Sequence, residues 1–173
     1  MEIRALRPDD DRSRFSCGNP DLDRFFLKYA GLNQFVNHIG ATYVAVEGQA
    51  IAGFVTVAPG QIEAAALPSS SLTGRLPRYP VPILRLARMA VSKAIQRRGV
   101  GSELLRFVLK LALKMSRDYG CMGVAVDAKP EAVGFYERFD FRRKEAAAGL
   151  LHTGPKPVLL FISIHTINDG LQR

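Results

Sequence analysis

The sequence predicts an α/β chain built as a mostly antiparallel sheet flanked by helices, and three patterns lead there. The apolar run Ile83–Val91 reads as a strand. It passes through a glycine-bearing turn, Gln96-Arg97-Arg98-Gly99-Val100-Gly101, into Leu104, Leu105, Val108, Leu111, Ala112 and Met115 at helical spacing. Earlier, Thr42–Val46 and Ile51–Ala58 flank Glu47-Gly48-Gln49, a hairpin signal.

The remaining elements follow in chain order. Residues 2–7 suit a short first strand. Asn19-Pro20 opens a helix, with Asn as cap and Pro in the first turn. The apolar face expected for it is Leu22, Phe25, Phe26, Tyr29, Leu32 and Val36. Residues 59–82 hold five prolines and three consecutive serines, so a long connection is expected there rather than a core element. Met122–Asp127 reads as a strand, residues 132–141 follow with a helix, and Val158–Ile164 is a late strand. The last several residues are polar and read as loose chain.

Composition sets the class. A chain of 173 residues with 47% hydrophobic content can bury one core, and residues 1–173 are expected to form a single domain. No apolar run is long enough to span a bilayer, and Met1-Glu2-Ile3-Arg4 does not begin a signal peptide. Cys17 and Cys121 lack metal spacing, so reduced thiols, a cytoplasmic location and no metal site are expected. Charge is uneven. Residues 75–117 carry eleven basic side chains against Glu103 alone, while the rest of the chain holds thirteen basic and fifteen acidic ones. The whole net charge of +8 therefore surrounds the glycine turn. It suits either a solvated helix face beside a phosphate ligand or the approach path of a polyanion.

The turn itself suits phosphate. A strand-to-helix junction aims several backbone N–H groups at one point, at the positive end of the helix dipole. Gly99 and Gly101 permit close approach, and Arg97 and Arg98 add charge. The alternative is a plain glycine turn before a surface helix, and the flanking strand and helix weigh against it. The spacings of dinucleotide-binding and P-loop motifs are both absent.

These residues resemble the core of the GNAT family of N-acetyltransferases, whose Q/R-x-x-G-x-G/A segment follows the central strand. A second landmark, Ala132-Val133-Gly134-Phe135-Tyr136-Glu137-Arg138-Phe139-Asp140-Phe141, is similar to the family's A-x-x-F-Y-x-x-x-G-F signature. Within the family the chain resembles the acetyltransferase toxins of type II toxin–antitoxin systems. Phe15–Gly18, Leu22–Phe25, Thr42–Val46, Ala52–Thr56, Leu86–Val91 and Val126–Lys129 carry that likeness. It implies acetyl-CoA as cosubstrate, held by Met89, Ala90, Val91, Gln96, Arg97, Arg98, Gly99, Val100, Gly101, Ser102 and Phe135, with Tyr136 as general acid. It implies acetylation of the α-amino group of aminoacyl-tRNA, with Arg75, Arg78 and Arg88 toward the acceptor. A ribbon-helix-helix antitoxin is the implied partner, and a homodimer is an allowed assembly. Two departures stand out: Asp140 replaces the usual Gly, and Lys129 sits where many relatives have Asn. If position 140 needs a left-handed backbone, Asp is among the less penalised substitutes.

The acceptor has its own signature. Residues 64–102 contain no Asp or Glu, so no carboxylate base lies on the central strand. A lysine acceptor, with a pKa of about 10.4, needs such a base far more than an α-amino group at about 7.7–8.0. Asp127 and Glu63 remain as candidate bases, each also readable as an ordinary surface or strand-end carboxylate. Two other readings stay open: a GNAT enzyme acting on a protein N-terminus or small amine, and a catalytically degenerate GNAT binding module.

Overall fold

The computed structural model describes residues 1–71, 76–145 and 156–172, and among these residues it holds seven strands and four α-helices. They run β1 (Glu2–Ala5), α1 (Pro20–Arg24), β2 (Ala41–Glu47), β3 (Ala50–Ile62), β4 (Val81–Val91), α2 (Val100–Asp118), β5 (Gly123–Ala128), α3 (Val133–Glu137), β6 (Arg142–Arg143), β7 (Val158–Ser163) and α4 (Ile164–Leu171). Contacts divide the chain into two compact units, Met1–Ala58 with Leu86–Lys110 and Pro59–Arg85 with Leu111–Arg173.

In the first unit the strand order is β1-β2-β3-β4, with β1 and β3 both antiparallel to β2. The β2–β3 hairpin turns at Gly48, whose φ of +63° explains the glycine, and a bulge falls between Ala45 and Val46. Its core gathers Leu6, Phe25, Phe26, Ala30, Val44, Phe54 and Ala90. Phe26 lies flat on Phe54, with ring centroids 4.3 Å apart. Gly53 is the close-approach position. A Cβ there would stand 2.9 Å from the Ala90 carbonyl oxygen and 3.1 Å from Leu104, so only glycine lets β3 lie this near β4 and the start of α2.

The helix after Asn19 departs from the expected face. Asn19 caps it as anticipated, its side-chain oxygen accepting from the N–H groups of Asp21 and Leu22. The chain then passes through two π-helical segments, Phe25–Tyr29 and Leu32–Val36. Each π turn adds a residue to the repeat and rotates the face behind it. Phe25 and Phe26 are buried and Leu22 packs beside them, but Tyr29, Leu32 and Val36 are exposed.

In the second unit the order is β4-β5-β7-β6, with β7 antiparallel to both β5 and β6. The proline-rich stretch 59–82 is only partly a connection. β3 runs on to Ile62, and Ile62, Leu67 and Val81 join Ile83, Ala125 and Phe161 in a buried cluster. Prolines there punctuate short 3₁₀ turns without excluding apolar anchors between them. The tail also differs from expectation. β7 stops at Ser163, whose side chain accepts from the Thr166 N–H, and Ile164–Leu171 is helical, with Ile167 buried. A capping serine plus one inward apolar residue orders a segment that composition alone reads as loose. Asp140 has φ +66°, the left-handed backbone its usual glycine would serve.

Gly123 carries the tightest contact in the second unit. A Cβ built there would lie 2.0 Å from the Ile162 carbonyl oxygen and 2.6 Å from the Phe161 ring. Gly123→Ala is expected to cost about 3 kcal/mol or more, because neither a β7 carbonyl nor a buried ring can retreat. Urea unfolding of the variant beside wild type measures this, and an unchanged midpoint would contradict the close approach.

Candidate active site

The junction between β4 and α2 is built to leave backbone N–H groups unspent. Ser92 donates its N–H to the Ala52 carbonyl at 2.8 Å, and Lys93 donates to the Ser16 carbonyl at 2.9 Å. The Gln96 side-chain amide donates to the carbonyls of Cys17 at 3.0 Å and Val91 at 3.1 Å. Arg97 then adopts φ +66° and Gly99 φ +87°, placing two left-handed residues on either side of Arg98. Alternation of this kind turns successive N–H groups toward one concavity and forms an anion nest. The Glu103 N–H donates to the Gly99 carbonyl at 3.1 Å and closes the first turn of α2. The N–H groups of Val100, Gly101 and Ser102 therefore have no intrahelical acceptor. Arg97, Arg98 and Gly99 are exposed, and a Cβ built at Gly99 would meet nothing within 4 Å. Open space, free donors, a helix start and two guanidinium groups together give a junction able to receive an anionic group such as a phosphate.

The structure brings the expected cofactor residues Met89–Ser102 into this one junction, with Ala90 and Val100 buried and Met89 and Val91 half-buried. It also separates their work. Gln96 holds the turn from behind, through two carbonyls, whereas Arg97–Ser102 supply the open face.

Behind the turn sits a loop whose role sequence reasoning missed. Asp23 accepts from the Cys17 N–H at 2.8 Å and the Ser16 hydroxyl at 3.0 Å. Gly18, at φ +89°, then reverses the chain into the Asn19 cap. Residues 16 and 17, thus fixed, present the carbonyls that Lys93 and Gln96 use. Burial pushes the Asp23 carboxyl up, but the Cys17 N–H, the Cys17 thiol and the Ser16 hydroxyl outweigh it and hold the group below the usual carboxylate range. The Cys17 thiol is pushed up, chiefly by burial and then by Asp23. Both Cys17 and Cys121 are free thiols. Phe15–Gly18 and Leu22–Phe25 were visible in the sequence only as a likeness. Nothing in their spacing announces a brace for residue 96.

Arg88 projects from β4 with its guanidinium 4.2 Å from the Phe25 ring centroid, a cation–π contact on an exposed side chain. Arg78 is exposed as well, and Arg75 lies outside the described residues.

The second unit holds the aromatic pair. Tyr136 on α3 is 6% exposed and meets Phe135 and Phe141 edge-on, at 5.2 and 5.4 Å between centroids. Among the described residues its hydroxyl has no hydrogen-bond partner, and burial pushes the phenol up to about 12. The same residue is thus a core aromatic whose phenol stays protonated well beyond neutral pH. Phe135 is half-buried, tilted on Phe139 and below the Arg138 guanidinium. Of the two candidate bases, Asp127 forms an exposed ion pair with Arg85 at 2.9 Å, and Glu63 is an exposed residue at the start of a 3₁₀ turn. Lys129 is extended and precedes Pro130 at the approach to α3. No described helix is long and apolar enough to cross a membrane.

Comparison with known proteins identifies the family and the fold. Residues 38–143 match the family model described as an acetyltransferase (GNAT) domain. A tRNA-acetylating toxin of Mycobacterium tuberculosis strain H37Rv is 33% identical over 145 residues, which span 80% of this chain and 82% of that protein. Among solved structures, AtaT complexed with acetyl-methionyl-tRNAfMet superposes with a TM-score of 0.82 at 25% identity, covering 98% of each chain. AtaTR bound with acetyl-CoA gives 0.78 at 26% identity, covering 98% of this chain and 97% of that one. A bacterial toxin gives 0.83 over 99% of this chain and 96% of that one, and its 22% identity speaks for the fold alone.

Gly99 separates charge from strain at the nest. Asp and Asn have nearly equal size and both tolerate a left-handed backbone, and neither would meet protein atoms at the Cβ. Gly99→Asp is expected to abolish acetyl-CoA binding in calorimetry, while Gly99→Asn weakens it only moderately, because only Asp sets a negative charge against a phosphate. Equal losses in the two variants would contradict an anion site here.

Proposed function

The chain belongs to the GNAT acetyltransferase family, and from that membership we propose that it acetylates the α-amino group of aminoacyl-tRNA and so blocks translation as a toxin. The observation that carries this reading is the 33% identity with a tRNA-acetylating toxin across four-fifths of both chains. The chemistry of the chain supports it. From residue 64 to residue 102 no carboxylate is available as a base, and Asp127 is engaged with Arg85. An α-amino group, with a reference pKa of about 7.7–8.0, is neutral in roughly a tenth of its molecules at pH 7, and the electron-withdrawing ester that joins the amino acid to tRNA raises that fraction, so it needs such a base far less than a lysine does.

Acetyl-CoA, when bound, supplies an activated acetyl thioester. The N–H groups of Arg98–Ser102, with Arg97 and Arg98, hold its pyrophosphate. A backbone N–H near Ala90 or Val91 polarises the thioester carbonyl, and Phe135 contributes apolar contact to the cofactor. The neutral amine would attack the carbonyl carbon as the C–S bond breaks, Tyr136 would give its hydroxyl proton to the departing sulfur, and the proton shed by the acylated nitrogen would pass to solvent, from which Tyr136 is reprotonated. Positioning supplies much of the acceleration in such a ternary reaction. Arg78 and Arg88, both exposed, would meet the acceptor's phosphates; Arg75, given the same role by the family likeness, lies outside the described residues. A target in translation places the protein in the cytoplasm. The reading calls for a ribbon-helix-helix antitoxin encoded beside the gene, and it allows a homodimer.

Tyr136→Phe removes only the hydroxyl from a packed ring. It should leave thermal stability and acetyl-CoA affinity in place and lower turnover about 10²–10⁴-fold. The pH profile of the wild type carries the second half of this expectation. With the phenol raised to about 12, the donor form persists well beyond the ordinary tyrosine range. The rate should therefore climb with pH through the acceptor amine's pKa, at about 8 or below, and then stay level past pH 10. A fall between pH 8 and 10, or full activity in the Phe variant, would return Tyr136 to the core.

Salt tests the acceptor. Transfer to aminoacyl-tRNA should fall steeply with ionic strength, and Arg78→Ala with Arg88→Ala should flatten the log–log slope by about 1–2 while sparing acetyl-CoA affinity. The measurement is acetylation of charged tRNA across a salt series, beside calorimetry with acetyl-CoA in the same buffers. A flat profile, or no transfer to any aminoacyl-tRNA, would leave a small-amine or N-terminal acetyltransferase as the reading. Absence of all acetyl-CoA turnover would leave a binding module.

A further inference from the structure

The geometry points to an acidic amphipathic helix of a partner protein as the occupant of the apolar face left open by the π-helical segments after α1. Leu27, Tyr29, Leu32, Phe35, Val36 and Ile39 stand between 36% and 65% exposed within thirteen residues of one another. Single exposed apolar side chains need no explanation, but six large ones in a short segment mark an interaction surface. Their exposure is built in. Ala30 N–H bonds back to Phe25 and Asn37 N–H to Leu32, the i to i+5 pattern that turns the second half of the helix away from the core. The end of the helix is then clamped in that orientation. Gln34 donates to the Leu6 carbonyl at 3.3 Å and accepts from the Thr42 N–H at 2.7 Å, while Ile39 N–H reaches the Asn33 carbonyl at 3.0 Å. Side-chain amides fix the backbone, and the apolar side chains are left facing outward. π-Helical turns recur at functional sites for this kind of re-aiming.

Charge decides what covers the face. From Arg24 to Val46 there is no Asp or Glu, and Lys28 stands among the apolar residues, with Arg24, ion-paired to Asp21 at 3.0 Å, at their border. Two copies of such a surface, on a chain of net charge +8, would bring like charges together. A helix with leucine-type residues at i, i+3, i+4 and i+7 and carboxylates at its margins matches both the apolar strip and its basic rim. That an antitoxin supplies this helix in the cell rests on the toxin reading above. The surface and its test do not.

The test uses the whole chain and two synthetic peptides, each roughly five helical turns long with Leu on one face. One carries Glu on its other faces and the other carries Lys. In fluorescence anisotropy the Glu peptide should bind saturably, at least about tenfold more tightly than the Lys peptide. The double variant Leu32→Ser, Val36→Ser should lose about tenfold or more of that affinity. Both positions are exposed, so its circular dichroism and thermal midpoint should match wild type. Lys28→Glu should weaken the Glu peptide and strengthen the Lys peptide, a readout independent of the serine variants. Glu-peptide binding that ignores Leu32→Ser, Val36→Ser would put the peptide elsewhere on the basic surface and overturn the inference. Equal binding of the two peptides would remove the charge argument and overturn it too. A wild-type dimer in sedimentation velocity that the double variant dissolves would show a second copy covering the face instead. Loss of acetyl transfer to tRNA with peptide binding intact would count against the toxin reading alone.

Discussion

Everything at the candidate site depends on three carbonyl groups that belong to other parts of the chain. Ala52, Ser16 and Cys17 accept hydrogen bonds from Ser92, Lys93 and the Gln96 side chain. A turn carrying Arg97 in the left-handed region is strained, by roughly 1–2 kcal/mol for an L residue, and it holds only where its surroundings over-determine it. Those surroundings are a β3 edge that Gly53 lets come within reach and a loop that Asp23 ties at both Ser16 and Cys17. The anion nest is thus prepared before any ligand arrives. The donors that satisfy the turn point backward into protein, and those at Val100–Ser102 stay open.

This arrangement explains which parts of the site were legible in the sequence. The glycine turn announces itself because strand, glycine and helix periodicity occur within one continuous segment, and each signal is local. The brace does not, because residue 96 and residue 17 meet only through folding, and a Phe-Ser-Cys-Gly string has many other uses. The helix after Asn19 failed for a different reason. Periodicity assumes 3.6 residues per turn, and the two π segments each break that count, so Leu22, Phe25 and Phe26 follow the expected face while Tyr29, Leu32 and Val36 leave it. The proline stretch shows the reverse error. Pro59–Pro82 reads as connection because prolines are conspicuous, yet Ile62, Leu67 and Val81 inside it are core residues. Asp140 meets the condition attached to it in the sequence, since its φ of +66° is the left-handed backbone that a replaced glycine would adopt.

Tyr136 shows how one environment can serve packing and chemistry together. Edge-on contacts with Phe135 and Phe141 fix the ring, and the same burial that packs it disfavours the phenolate.

The absence of acidic residues between positions 64 and 102 joins the two halves of the proposed reaction. A carboxylate there would serve a high-pKa amine as a base, but it would also repel an incoming polyanion next to the nest. A chain that acts on an ester-activated α-amine gives up the base at little cost, since a far larger share of that amine than of a lysine is neutral near pH 7, and it gains a basic approach without a negative gap. A lysine-directed enzyme could not make the same exchange. Its acceptor, with a pKa of about 10.4, would be neutral in about four parts per ten thousand at pH 7. The charge pattern around the turn and the missing base are therefore one property of the sequence, and both favour the same class of acceptor.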